Sequence, residues 1–172
     1  MDWKPFKLGG ASYELAHLKT KLMEVTPTAA GAAKRKVKVS FGCHTFTREL
    51  WEADKPDLHF RHGGEVRAFC TERHRHSLNL PTIVDLAAAG GRAYFSKKEN
   101  FLLVDTEAGV RYAVFFNMIR SRSSDCDVVM FVVSAYPKPN LPLQLLAITF
   151  PTLVATVAAG KPVIKPTRKI KY

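Results

Sequence analysis

Three short runs concentrate the side chains that could move protons and hold a phosphate. Cys43–Arg48 (CHTFTR) brings His44, Thr45, Thr47 and Arg48 to the end of a strand-like segment. Cys70–Ser77 (CTERHRHS) carries Arg73, His74, Arg75 and His76. Val133–Pro137 (VSAYP) puts Ser134 and Tyr136 two apart, hence on one face of a strand. Cleaving RNA without a metal needs a base for the ribose 2′-hydroxyl and an acid for the leaving 5′-oxygen. It also needs cations and hydroxyls around the phosphorus. Histidine titrates near neutrality and suits either proton role, and arginine offers a forked phosphate contact. His44 and His74, with His76 in reserve, together with Arg48, Arg73, Ser134 and Tyr136, would supply a full set.

Cys43, His44, Cys70, His74 and His76 are also ligands that zinc accepts. Their spacing is irregular, with neither C-x-x-C nor H-x₃-H, so the expectation is no metal and no cofactor. Walker, dinucleotide-binding and nucleophile-elbow motifs are missing from the sequence.

The charge distribution points to a partner. The 172 residues carry a net charge of +11, and all fifteen acids lie at or before Asp127. Basic residues gather in Ala33–Lys38, in Arg67–His76 and in the acid-free C-terminal stretch. Lys34, Arg35, Lys36, Arg75, Arg120, Lys165, Arg168, Lys169 and Lys171 are the expected contacts to RNA, with DNA as a second option. An apolar content of 47% excludes a disordered chain. Three cysteines make no closed disulfide set, and Met1–Gly10 has no apolar leader core. A cytoplasmic protein is expected. Leu141–Gly160 is free of charge for twenty residues, but Pro142 and Pro151 interrupt it. It reads as a strand followed by a short helix, not a membrane span.

The elements that must position these groups read as α+β. Leu15, Leu18, Leu22 and Val25 recur at helical spacing and predict a helix over Ser12–Val25. Thr26–Ala33 reads as a linker. The expected division is a helical appendage, 1–32, and a single α+β domain, 33–172, with a basic C-terminal tail. Lys36–Phe41 alternates as a strand, Glu49–Gly64 reads as loop, and Leu80–Ala89 as a helix stopped by Gly90-Gly91. Arg92–Ser96, Asn100–Asp105, Val110–Arg120 and Asp127–Tyr136 read as four strands. Their short connections, Lys97–Glu99, Thr106–Gly109 and Ser121–Cys126, predict an antiparallel meander. Apolar residues on both faces of Val110–Arg120 predict a central strand covered on each side.

Antiparallel strands ending in Ser134-Ala135-Tyr136-Pro137 resemble the barnase–EndoU–colicin–RelE class of ribonucleases. That resemblance implies N-terminal helices packed on the sheet and metal-independent cleavage of RNA through a 2′,3′-cyclic phosphate. It implies a toxin-like phage or plasmid protein with an acidic inhibitor, and Ser134 and Tyr136 near the scissile phosphate. Two alternatives stand beside this endoribonuclease: a non-enzymatic nucleic-acid-binding or regulatory module, and a zinc-stabilised adaptor for an acidic protein.

Overall fold

A computed structural model describes residues 2–96, 101–105, 111–142 and 144–171. The chain opens with a hairpin, β1 (Phe6–Leu8) and β2 (Ala11–Tyr13), followed by a 3-10 turn at Ala16–Leu18 and by β3 (Lys21–Val25). Next come β4 (Arg35–His44), β5 (Thr47–Arg48), β6 (His59–His62) and β7 (Glu65–Phe69). Two helices follow, α1 (Thr71–Ser77) and α2 (Leu80–Ala88). Then β8 (Arg92–Phe95), β9 (Phe101–Asp105), β10 (Tyr112–Arg120) and β11 (Val128–Pro137) run in succession. The chain closes with β12 (Gln144–Thr149), α3 (Phe150–Ala158) and β13 (Lys169–Lys171).

Eight strands form the main sheet in the order β13-β12-β8-β9-β10-β11-β4-β3, while β5-β7-β6 form a small second sheet. The meander β8 to β11 is antiparallel throughout, as its strand patterns predict. The connections expected at Lys97–Glu99 and Thr106–Gly109 lie outside the described residues. β11 and β4 run parallel, so both begin at one end of the sheet and both finish at the other. The fold is mixed α+β, mostly sheet.

One face of the sheet carries the core. Val37, Val39 and Phe41 of β4, Val128, Met130 and Val132 of β11, and Val114 and Phe116 of β10 are buried there, together with Leu80 and Val84 of α2 and Leu153 and Val154 of α3. Both helices follow local signals. Pro81 stands in the first turn of α2, and Thr149 caps α3 by accepting the Thr152 N–H ahead of a first-turn proline.

The opposite face is covered only in part. Tyr94 and Leu141 are buried on it, with Val104, Phe115, Leu145, Ala147 and Ile170 packed around them. Arg111 holds the chain that brings Leu141 there by donating to the Pro139 and Leu141 carbonyls, both at 2.8 Å. Farther along β10, Asn117 is exposed and Ile119 is 63% exposed. The expectation of a strand covered on both faces therefore holds at the Tyr112 end and fails at the Arg120 end.

Two expectations about the termini are corrected. Ser12–Val25 is not a helix: Leu15 and Leu18 are buried in and beside a single 3-10 turn, and Lys21–Val25 pairs antiparallel with Val39–Arg35. Backbone partners on β4 outweigh a helical apolar spacing, and Leu22 is left 56% exposed. Segment 26–33 thus joins two neighbouring strands of one sheet, and residues 1–32 contribute the edge strand β3 to it, while β1 and β2 pair only with each other. The N-terminal helices implied by the ribonuclease resemblance do not form; the helices come after β7. At the other end, a helix begins at Phe150–Pro151 as read, but it lies on the sheet and is not a terminal appendage. The chain then returns as edge strand β13, paired with β12.

Candidate functional site

β4 and β11 finish side by side, and one extra residue in β4 between Phe41 and His44 brings His44 opposite Ser134. Gly42 is needed for this. A Cβ there would stand 2.9 Å from the Phe131 ring and 3.1 Å from the Val133 carbonyl oxygen. Past His44 the chain turns sharply, with the Thr45 hydroxyl donating to Gly42 O and the Thr47 hydroxyl to Cys43 O, both at 2.7 Å. β5 then joins the small sheet. β7, its central strand, is delivered by a hairpin whose turn, Gly63-Gly64, takes φ of 58° and 81°. Glu65 and Arg67, two apart on β7, are thereby set against His44 and Thr47.

His44 Nε2 lies 3.0 Å from Glu65 Oε2. Arg67 Nη1 donates to the other carboxylate oxygen at 2.7 Å, and Arg67 Nε donates to the Thr47 hydroxyl at 2.8 Å. His44 first, then Arg67, holds the Glu65 carboxyl below its usual range. Glu65 is therefore an anion at neutral pH and only accepts. His44 must carry its proton on Nε2, which leaves Nδ1 as the free acceptor. This is the arrangement of a positioned base: a proton acceptor, an orienting carboxylate and a cation fixing the carboxylate.

α1 supplies the adjacent cation. Arg73 Nη1 donates to the Thr47 carbonyl at 2.7 Å and to the His44 carbonyl at 3.1 Å. Its guanidinium carbon stands 4.8 Å from the centre of the Tyr136 ring. Burial is the main influence on Arg73 and draws its pKa down, while nearby Cys70 opposes it. Tyr136 is stacked on Phe115, with centroids 5.5 Å apart, and Lys138 Nζ stands 5.7 Å from its ring centre. One turn along α1, His76 stacks on Tyr112 at 5.3 Å. Burial pushes the Tyr112 phenol well above its usual range, and its hydroxyl has no hydrogen-bond partner among the described residues.

Five of the six catalytic candidates read from the sequence thus meet at one end of the sheet: His44, Arg48, Arg73, Ser134 and Tyr136. Arg48 is not free for a phosphate. Its fork is occupied by Asp54, at 2.6 Å and 2.5 Å, and it also donates to the Glu49 carbonyl. His74 faces elsewhere. Because RHRHS is helical and not extended, His74 and His76 do not share a face. His74 Nε2 lies 2.9 Å from the Glu14 carbonyl, and its ring packs on Tyr13, His17 and Phe69. His17 in turn lies 2.8 Å from the buried Ser77 hydroxyl, and burial first, then His74, lowers its pKa.

Glu65 and Arg67 belong to this arrangement and are not among the site candidates read from the sequence, where Arg67 stands only in a basic cluster. A signal for them is the Gly63-Gly64 pair, which closes the loop-like stretch 49–64 and is flanked by two short alternating runs, FRH and EVR, a hairpin signature.

The basic candidates do not converge on this site. Lys34, Arg35 and Lys36 stand at the start of β4, and Arg120 pairs in register with Val128 at the start of β11. Both positions are at the far end of the sheet. Lys34 is paired with Glu24 at 3.1 Å and Arg35 with Asp127 at 3.5 Å. Lys169 and Lys171 lie on the edge strand β13, with Lys165 and Arg168 in the chain leading to it. Arg75 is exposed on α1. Among the described residues no helix is long and apolar enough to cross a membrane.

One metal-compatible group exists among the described residues. The donor atoms of Cys43, His44 and Glu65 all lie within 4.8 Å of one another. Cys70, His74 and His76 are not part of it. Burial pushes the Cys43 thiol up more than the neighbouring Arg67 guanidinium draws it down.

The model of the YjaZ family matches residues 5–158, and the chain belongs to that family. No curated protein and no solved structure matches the chain.

Proposed function

We propose that this member of the YjaZ family is a nucleic-acid-binding protein whose His44 end cleaves RNA without a metal. The observation that carries the reading is the His44–Glu65–Arg67 relay, placed beside Arg73 and Tyr136. Nδ1 of His44 takes the proton of the ribose 2′-hydroxyl, and Glu65 stabilises the imidazolium that results. Arg73, anchored by two carbonyls, and Ser134, opposite His44, face the phosphate. Tyr136 assists through its hydroxyl. His76, on the Arg73 side of α1, replaces His74 as the second proton carrier. The product is a 2′,3′-cyclic phosphate. An acidic inhibitor protein and a cytoplasmic setting accompany this reading.

The test is incubation of the purified chain with mixed RNA in EDTA. Cleavage that survives EDTA and falls roughly 10²–10⁴-fold in His44→Ala, with the fold retained, supports the proposal. RNA left intact by the wild-type chain across varied substrates gives the case to a binding module without turnover.

A second reading rests on the three donors Cys43, His44 and Glu65, which could hold zinc in a structural or adaptor role. The Arg67 guanidinium, 2.7 Å from Glu65, opposes a cation there. Equilibrium dialysis against zinc decides. About one bound equivalent that is lost in Cys43→Ser favours the metal reading.

A further inference from the structure

Beside the His44 relay lies a cleft of about 430 Å³, lined by Arg48, Glu49, Trp51, Glu72, Arg73 and Tyr136 among others. Its unusual member is Trp51, an indole left 61% exposed. The loop holding it is not loose. Arg48 and Asp54 form a two-pronged ion pair, and Asp54 also accepts the Trp51 backbone N–H at 2.7 Å. Arg48 first, then that N–H, holds the Asp54 carboxyl down at about 2. The Arg48 guanidinium lies 3.8 Å from the Trp51 ring centre and stacks on it. A part-buried clip thus holds a large apolar ring at the surface, with Arg48 against the ring and 61% of the residue open to solvent. Fixing the ring beforehand lowers the ordering cost of a flat ligand stacked upon it.

We propose that the Trp51–Tyr136 cleft seats an unpaired nucleobase of the RNA strand, with guanine preferred. The inference rests on the reading of the His44 end as an RNA site, and it adds what that site selects. Stacking on an aromatic platform is how single-stranded bases are bound, and every base has a face for it. Selection comes from the rim. Arg48 is neutralised by Asp54, so the polar groups there are the exposed carboxylates of Glu49 and Glu72 and the Arg73 guanidinium, whose Nη1 is engaged by the His44 and Thr47 carbonyls. Carboxylates only accept hydrogen bonds. Guanine presents an imino and an amino N–H side by side on its Watson–Crick edge. Adenine and cytosine each present one amino group, and uracil one imino group. A base seated on Trp51 directs its phosphate toward Arg73 and Lys138, next to His44.

Trp51 fluorescence gives a direct readout. The other tryptophan, Trp3, is half-buried, donates to the Phe41 carbonyl and packs against Phe46 and Phe60. The experiment titrates the full chain with four 2′-deoxydinucleotides, one per base, which lack the attacking hydroxyl and cannot be cleaved. Saturable quenching is expected, tightest for guanine by about 10-fold or more, since a pair of well-made contacts discriminates on that scale. Trp51→Ala should abolish the quench and weaken binding about 5- to 150-fold, while Trp51→Tyr restores affinity. Glu49→Gln with Glu72→Gln should erase the guanine preference. Equal affinity in wild type and Trp51→Ala overturns the seat, and equal affinity for all four bases overturns its selectivity. The two readings separate cleanly. RNA cleavage that is indifferent to Trp51→Ala sinks the seat alone. Base binding without RNA cleavage sinks the nuclease alone.

Discussion

His44 and Glu65, 21 positions apart in sequence, meet at 3.0 Å because a glycine hairpin folds β7 back across the turn that follows β4. Neither residue defines the site alone. The carboxylate chooses the histidine tautomer, and His44 first, then Arg67, keeps the carboxylate ionised. Glu65→Gln is therefore expected to lower RNA cleavage by roughly 10-fold or more while leaving the fold intact, a fraction of the 10²–10⁴ range open to general acid–base catalysis. Exposed ion pairs contribute about 0–1 kcal/mol, so its unfolding midpoint should scarcely move. The pair needs an ionised Glu65. Its depressed pKa makes the contact fully present above the ordinary glutamate range and lost as pH falls through the lowered value. The His44 proton resonances, followed on acidification, would check this: the Nε2 contact should be lost at low pH in the wild type and be altered at every pH in Glu65→Gln.

The stability core should lie on the helix face. Phe116 is fully buried between the sheet and α3, whereas Phe115 and Phe131 are half-buried on the other face. Phe116→Ala is expected to cost about 3–5 kcal/mol, and Phe115→Ala or Phe131→Ala clearly less. Urea denaturation of the three variants measures the order. A Phe131→Ala loss as large as that of Phe116→Ala would contradict the burial described.

Much of this was legible in the sequence. Alternation gave β4 and the meander, and the Pro151 and Gly160 signals marked α3, because those patterns are local and agree with the fold. Ser12–Val25 misled because Leu15, Leu18, Leu22 and Val25 fit a helix, and only the distant partner β4 decides for a strand. The site divides the same way. Ser134 and Tyr136 follow from strand alternation, and His44 from its place at a strand end. Glu65 and Arg67 directly follow the loop-like stretch 49–64, and their strand depends on the hairpin made by its two closing glycines. His74 stood in the richest basic run, yet one residue of helical rotation separates it from Arg73 and turns it toward Tyr13.

Gly42 should tolerate no side chain. Its Cβ would press on the Phe131 ring and on the Val132 and Val133 carbonyls, and the latter two are backbone that cannot swing aside. Gly42→Ala is expected to cost about 1–3 kcal/mol, the range for overpacking, and to disturb the His44–Ser134 register. Thermal melts and the His44 proton resonances would report both effects.

The Trp51 loop should release in acid. Asp54 has its carboxyl held at about 2 by Arg48 and by the Trp51 N–H. A carboxyl depressed in the folded chain stabilises it above the unfolded value, about 3.9, and that contribution fades as pH falls toward the folded one. Trp51 emission should hold steady above about pH 4 and change below it, with little change in the sheet's circular dichroism. In Asp54→Asn the emission should be altered at every pH. A wild-type profile flat down to pH 2 would mean that the clip does not hold the ring.

The positive charge should act at a distance from the chemistry. Lys36 and His44 lie at opposite ends of β4, roughly 26 Å apart at the rise of an extended strand. Lys169 and Lys171 occupy the far edge of the same sheet. No short ligand reaches the relay and these lysines together, but a long one does. Dinucleotides should therefore bind Lys36→Gln and the wild type equally. A duplex of ten base pairs spans about 34 Å. On such a duplex, each lysine that touches a phosphate should contribute about 0.9 to the slope of log affinity against log salt. Removing Lys161–Tyr172 should flatten that slope for the duplex and leave dinucleotide affinity unchanged, while costing the sheet its edge strand and the packing of Val163 and Ile170. Fluorescence anisotropy at several salt concentrations measures all three ligand–variant pairs. A dinucleotide slope that drops along with the duplex slope would place the lysines at the relay itself, against the positions they hold on β4 and β13.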